Sequence, residues 1–135
     1  MLYSLCMKKK TEKQTTGRIG EDIAAKFLVK HGYFILEQNF LKKFGEIDII
    51  CQKNLKTHFV EVKTVSREDV SRETPDQYRA EDNIHQNKLK RIKRTIEAYL
   101  NEKDHKAKWE FHAILVILDK TKKTAMVRFL QDLVI

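Results

Sequence analysis

The chain has 135 residues, 41% of them hydrophobic and 34% charged, with one proline and four glycines. That size and balance suit a single domain with a real core, and they exclude a disordered chain, a membrane-spanning bundle and domains strung on long flexible linkers. The formal net charge of +8 suits a polyanionic partner, nucleic acid being the commonest, although a basic surface that serves solubility alone gives the same sum.

Residues 1–14 are polar and basic and read as a flexible N-terminus ahead of one domain, 15–135. Met1 and Met7 both stand as candidate starts, and the apolar stretch before Cys6 is too short for a signal-peptide core. Cys6 and Cys51 form no CxxC and have no histidine at finger spacing, so reduced thiols in the cytoplasm are expected rather than a zinc site or a disulfide. A helix is predicted from Thr15 or Thr16, either of which can cap it, to about His31, where Gly32 stops it. Ile19, Ile23, Ala24, Phe27 and Leu28 recur at helical spacing on its core face. Glu21 falls at the edge of that face, half-inward, whereas Arg18, Asp22, Lys26 and Lys30 point elsewhere.

Residues 33–40, 45–52 and 58–64 read as three strands, the last two joined by a turn within Lys53-Asn54-Leu55-Lys56. Alternation puts Glu46, Asp48 and Ile50 on one face of the second strand and Ile47 and Ile49 on the other. In the third strand it puts Phe59, Glu61 and Lys63 together, opposite Val60 and Val62. A hairpin register that joins the polar faces makes Asp48, Glu61 and Lys63 converge. Residues 65–82 lack periodicity and read as a loop beside that site. A second helix is expected over 83–103, with Leu89, Ile92, Ile96, Tyr99 and Leu100 as its apolar stripe. Strands follow at 109–118 and 124–130, separated by a polar turn. The order helix, three strands, helix, strand, strand predicts an α/β fold, a mixed central sheet flanked by helices.

Strands inside such a sheet are usually continuous apolar runs, and an unpaired buried carboxylate is costly. Carboxylates on two adjacent strands therefore suggest a bound cation. Phosphodiester cleavage uses a hard divalent metal, and Mg²⁺ or Mn²⁺ takes oxygen ligands, here Asp48, Glu61 and the Val62 carbonyl. Cross-strand charge pairs on a solvated sheet face are the plainer alternative. Lys63 either steers the attacking water or merely pairs with Glu61. Glu21 either assists the metal site or sits in the first turn for the sake of the helix dipole. Glu46, one pleat away, ranks second to Asp48. Lys88, Lys90, Arg91 and Arg94 form a basic helix cluster that suits nucleic-acid phosphates or simply solvent. Lys88, beside the apolar stripe at the helix start, is the one placed to reach the sheet. The five histidines make no ligand-spaced cluster, and His112 reads as a core histidine with a satisfied hydrogen bond.

The runs Gly17-x-x-Gly20-Glu21-x-x-Ala24, Gly32-Tyr33-x-Ile35-Leu36-x-x-Asn39, Gly45-Glu46-Ile47-Asp48 and Phe59-Val60-Glu61-Val62-Lys63-Thr64 together closely resemble the YraN-like family of small bacterial proteins, over about residues 15–130. That family looks like a minimal member of the PD-(D/E)XK restriction-endonuclease-like superfamily, similar to archaeal Holliday-junction resolvases. The resemblance implies an αβββαβ core with Asp48 and Glu61-x-Lys63 as the signature site. It matches Glu21 to the helical acid of that site, and Lys88 to a lysine opening the second helix. The implied activity is a metal-dependent DNA endonuclease selective for branched or junction DNA, working as a homodimer. The alternative is a nucleic-acid-binding protein that keeps the nuclease fold without cutting. Val65 stands where the family usually has arginine, Leu41 at an often basic position, and His112 where aspartate is common. These departures bear on substrate preference and remove no metal ligand.

Overall fold

The computed structural model describes residues 12–70, 86–103 and 108–135. The stretch 1–11 with Cys6, most of the expected 65–82 loop and the first residues of the expected second helix lie outside them. In chain order the elements are α1 (Glu12–Lys30), β1 (Phe34–Lys42), β2 (Gly45–Lys53), β3 (Lys56–Ser66), a one-turn α2 (Arg67–Val70), α3 (Gln86–Glu102), β4 (Trp109–Asp119) and β5 (Thr124–Leu130). The first helix begins ahead of Thr15, so neither Thr15 nor Thr16 caps it. Residues 65–70 are not loop, because β3 continues to Ser66 and α2 follows directly.

The five strands form one sheet in the order β1-β2-β3-β4-β5. β3 and β4 run parallel, while the other neighbouring pairs are antiparallel. A parallel pair needs a crossover, and α2 and α3 lie on the segment that makes it. This is the αβββαβ core of the restriction-endonuclease-like kind, with β5 added at one edge.

Among the described residues the two long helices each pack on the sheet through a core of their own, and Val65 and Leu115 form a smaller third cluster. On the α1 side Ala24, Ala25 and Leu28 pack with Ile49, Cys51, Val60, Ile114 and Val116. On the α3 side Ile92, Ile96 and Tyr99 pack with Ile47, Ile50, Phe59 and Phe111. Fully burying such a side chain is worth roughly 1.5–3 kcal/mol, so each helix is held mainly by its apolar face. Ile19, expected in the core, is instead 45% exposed, and Ala25 takes the buried place. Trp109 sits at the end of the α3-side cluster, its ring edge-on to Phe59.

The ends of α1 and of the central hairpin follow from local chemistry. Gly32 adopts φ +90°, its N–H donates to the Val29 carbonyl, and the Tyr33 N–H donates to that of Leu28. This pair of bonds satisfies the last helical carbonyls and lets Tyr33 drop onto the core. Lys53 pairs with Lys56, which leaves Asn54 and Leu55 as a two-residue turn with φ +53° and +65°. Two positive values define the turn whose twist matches the flanking strands.

Candidate metal centre

The β2–β3 ladder runs from Lys53 opposite Lys56 to Ile49 opposite Val60 and stops there. Both strands continue, β2 still paired to β1 as far as Gly45 and β3 to β4 as far as Ser66. A gap therefore opens between the two middle strands. At its apex the Val62 N–H donates to Asp48 Oδ2 at 2.8 Å, a side chain standing in for the lost ladder partner. The N–H and C=O of a strand residue point the same way, so the Val62 carbonyl also faces the gap.

Asp48 is where β2 changes faces. Ile49 and Cys51 belong to the α1-side core, yet Ile47 packs with Ile50 on the α3 side. Ile47 and Ile49 thus do not share a face as simple alternation predicts. The strand opposite is irregular at the same point: between Gln38, which pairs with Ile49, and Phe40, which pairs with Ile47, Asn39 adopts φ +54°. A left-handed residue inside a strand re-aims the chain, and asparagine tolerates that conformation better than most.

Around the gap lies a cavity of about 480 Å³, lined by Glu21, Glu46, Asp48, Glu61, Val62, Lys88, Arg91 and Ile92. Glu61 is 9% exposed, and Lys88 Nζ lies 2.7 Å from its Oε1. Glu21 arrives from α1 because Gly20 lets the helix press onto β3: a Cβ on Gly20 would sit 2.7 Å from Thr64 Cβ. The Asn39 amide has both its atoms satisfied only with its nitrogen donating to Glu21 Oε2 at 3.2 Å and Glu46 Oε1 at 3.0 Å. Asn39 was not legible as a site residue, since asparagine in a strand reads as an ordinary polar position. Glu46 lines the cavity beside Asp48 rather than standing behind it.

Asp48 and Glu21 are electrostatically strained. Burial first and the Glu61 charge second push Asp48 up to about 9, against the pull of the Val62 N–H. Burial also raises Glu21 above the usual carboxylate range, helped by Glu46 and Glu61 and opposed by the Asn39 amide. A hard divalent cation relieves this strain, and the donors available suit one: carboxylate oxygens of Asp48 and Glu61 with the Val62 carbonyl beside them. The residues present therefore fit Mg²⁺ or Mn²⁺.

Other expected residues stay apart from the cavity. Lys63 lies on the same side of β3 as Glu61 by alternation, but it is exposed, does not line the cavity and makes no ion pair among the described residues. Lys90 is exposed, and the Arg94 guanidinium lies 4.4 Å above the Phe44 ring. Arg91 is exposed like them and also lines the cavity.

Topology also assembles a histidine group that spacing did not foretell. His58, Glu110 and His112 bring one ligand atom each within 4.8 Å of one another. Their hydrogen bonds argue against a metal. The Asp132 N–H donates to His112 Nδ1 at 2.9 Å, which places the His112 proton on Nε2. That Nε2–H donates to His58 Nδ1 at 2.7 Å, and His58 Nε2–H then faces the Lys53 carbonyl at 3.3 Å. All four ring nitrogens are engaged with both rings neutral, so His112 is a core histidine with satisfied hydrogen bonds. Burial lowers both rings, His112 to about 4 with His58 adding to the effect.

The model of the uncharacterised protein family UPF0102 matches residues 20–128, a span that holds every residue lining the cavity. A UPF0102 protein of Campylobacter fetus subsp. fetus is 39% identical over 110 residues, 82% of this chain and 90% of that protein. One from Campylobacter jejuni subsp. jejuni serotype O:23/36 is 45% identical over 83 residues, 62% of this chain and 66% of its own length. One from Aliarcobacter butzleri is 38% identical over 105 residues, 77% of this chain and 87% of its own.

Proposed function

Starting from a chain that belongs to the UPF0102, or YraN-like, family of uncharacterised proteins, we propose that it is a metal-dependent DNA endonuclease that hydrolyses phosphodiesters, selectively at branched or junction DNA. The observation that carries this reading is the parted β2–β3 pair, where a half-buried Asp48 stands against Glu61 beside Val62 with its carboxyl held near 9. Asp48, Glu61 and the Val62 carbonyl hold Mg²⁺ or Mn²⁺, which when bound supplies phosphate polarisation and a more acidic water. Lys63, which stands outside the cavity on the same side of β3 as Glu61, would turn inward to position the attacking water once DNA is bound. Glu21, beside Asp48, accepts a hydrogen bond from that water. Lys88, Lys90, Arg91 and Arg94 take the flanking phosphates from α3, which ties affinity to salt concentration. A junction has two strands to cut, so this version of the reading carries a homodimer. Among the described residues no helix is long and apolar enough to cross a membrane.

Purified protein incubated with branched and linear DNA under Mn²⁺, beside Asp48→Ala, tests this. Cleavage by the wild type and none by the variant is expected, whereas equal cleavage by both sinks the proposal. Salt-sensitive binding that survives Asp48→Ala, with turnover by neither protein, transfers the assignment to a non-cutting nucleic-acid-binding protein.

A further inference from the structure

Lys88 does something besides offering charge to a phosphate. Its ammonium lies 2.7 Å from Glu61 Oε1, and among the described residues this is the one ion pair inside the cavity. The partners are unequally anchored: the Glu61 side chain is 11% exposed and that of Lys88 43%. The carboxylate is fixed in the sheet, while the ammonium reaches in from solvent on a flexible stem. Four acidic side chains, Glu21, Glu46, Asp48 and Glu61, line the cavity with two basic ones, Lys88 and Arg91. Glu61 is also one of the two carboxylates that fit a divalent metal.

We infer that Lys88 is a resident counter-cation that holds Glu61 while the site is empty of metal, and that a divalent cation displaces it toward a substrate phosphate. This rests on the metal reading of the same site. An ammonium brings one charge and no coordination bond, whereas a divalent ion brings two charges and binds oxygen directly, so the ion wins Glu61. No covalent bond changes. Released, Lys88 stands one helical turn from Arg91 on α3, and the two together frame a phosphate over the metal. The arrangement keeps the acidic cluster neutralised between substrates and turns metal loading into the step that frees a DNA-binding cation.

The test uses the full chain and measures Mn²⁺ affinity by titration calorimetry without nucleic acid, for wild type, Lys88→Met and Lys88→Arg. Removing the competing charge is expected to tighten Mn²⁺ binding roughly tenfold in Lys88→Met, while Lys88→Arg stays near wild type. Loaded with Ca²⁺, Lys88→Met is expected to bind a short branched DNA several-fold more weakly than wild type by fluorescence anisotropy. Unchanged or weaker Mn²⁺ affinity in Lys88→Met, folded by circular dichroism, overturns the exchange and leaves the metal reading standing. No Mn²⁺ binding by any of the three proteins removes the metal reading, and the exchange falls with it.

Discussion

Asp48 stores a cost that metal would release. Unfolded, its carboxyl titrates near 3.8; folded and metal-free, it is held up to about 9 by burial and by Glu61. A group raised on folding contributes most stability below its unfolded value and loses it as pH climbs through the window between the two. At neutral pH the metal-free protein therefore carries a penalty, which Asp48→Asn removes while its amide oxygen still accepts from Val62. Urea denaturation in EDTA at pH 7 is expected to show the variant more stable by about 2 kcal/mol, and added Mn²⁺ to reverse the order. His112 works in the opposite direction. Its folded value lies near 4, below the ordinary 6.5, so its contribution is complete above pH 6.5 and lost as pH falls toward 4. The loss amounts to as much as about 3 kcal/mol, and a protonated Nδ1 would meet the Asp132 N–H donor to donor. Measuring urea midpoints from pH 7 to 4 in the Asp48→Asn background, beside the same series in Asp48→Asn with Glu21→Gln, reads this loss together with that of His58; a flat profile in both contradicts the neutral relay.

Elements show where sequence reading succeeds and where it stops. The last strand was legible to the residue, as was the stop of α1 at Gly32, because each rests on chemistry within a few positions. The turn within 53–56 was legible for its polarity, yet Leu55 at φ +65° is a residue that conformation disfavours, and its side chain is 84% exposed. Leu55→Gly is accordingly expected to raise stability by about 0.5–1 kcal/mol in thermal unfolding. The face change at Asp48 was not legible, because alternation assumes regular strand backbone, and the left-handed Asn39 facing this point on the neighbouring strand leaves no signal in the sequence of β2. The convergence of Asp48 and Glu61 could be foreseen only in outline for the same reason. Gly20 shows the coupling between element and site: Gly20→Ala pushes α1 off Thr64, which costs about 1–3 kcal/mol by overpacking and carries Glu21 away from Asp48. Reduced Mn²⁺ affinity in a variant that still folds is the expected reading of that shift.

At the scale of the whole molecule, the sheet separates the core beneath α1 from the core beneath α3, and the carboxylate gap is where its middle strands part between them. The net charge of +8 indicated a polyanionic partner without saying where it would dock. The pairing of His58 with His112 across 54 positions was beyond any spacing argument, since only the parallel β3–β4 ladder brings them together. One practical result comes from Trp109, the single tryptophan of the chain, which sits against Phe59 in the α3-side core. Its fluorescence is a one-sided witness, sensitive to the layer beneath α3 and blind to the layer beneath α1. If the halves of the molecule melt together, the fluorescence and far-ultraviolet transitions coincide. If they melt apart, the light signal follows α3 alone, and the gap between the two curves measures how firmly the sheet couples its sides.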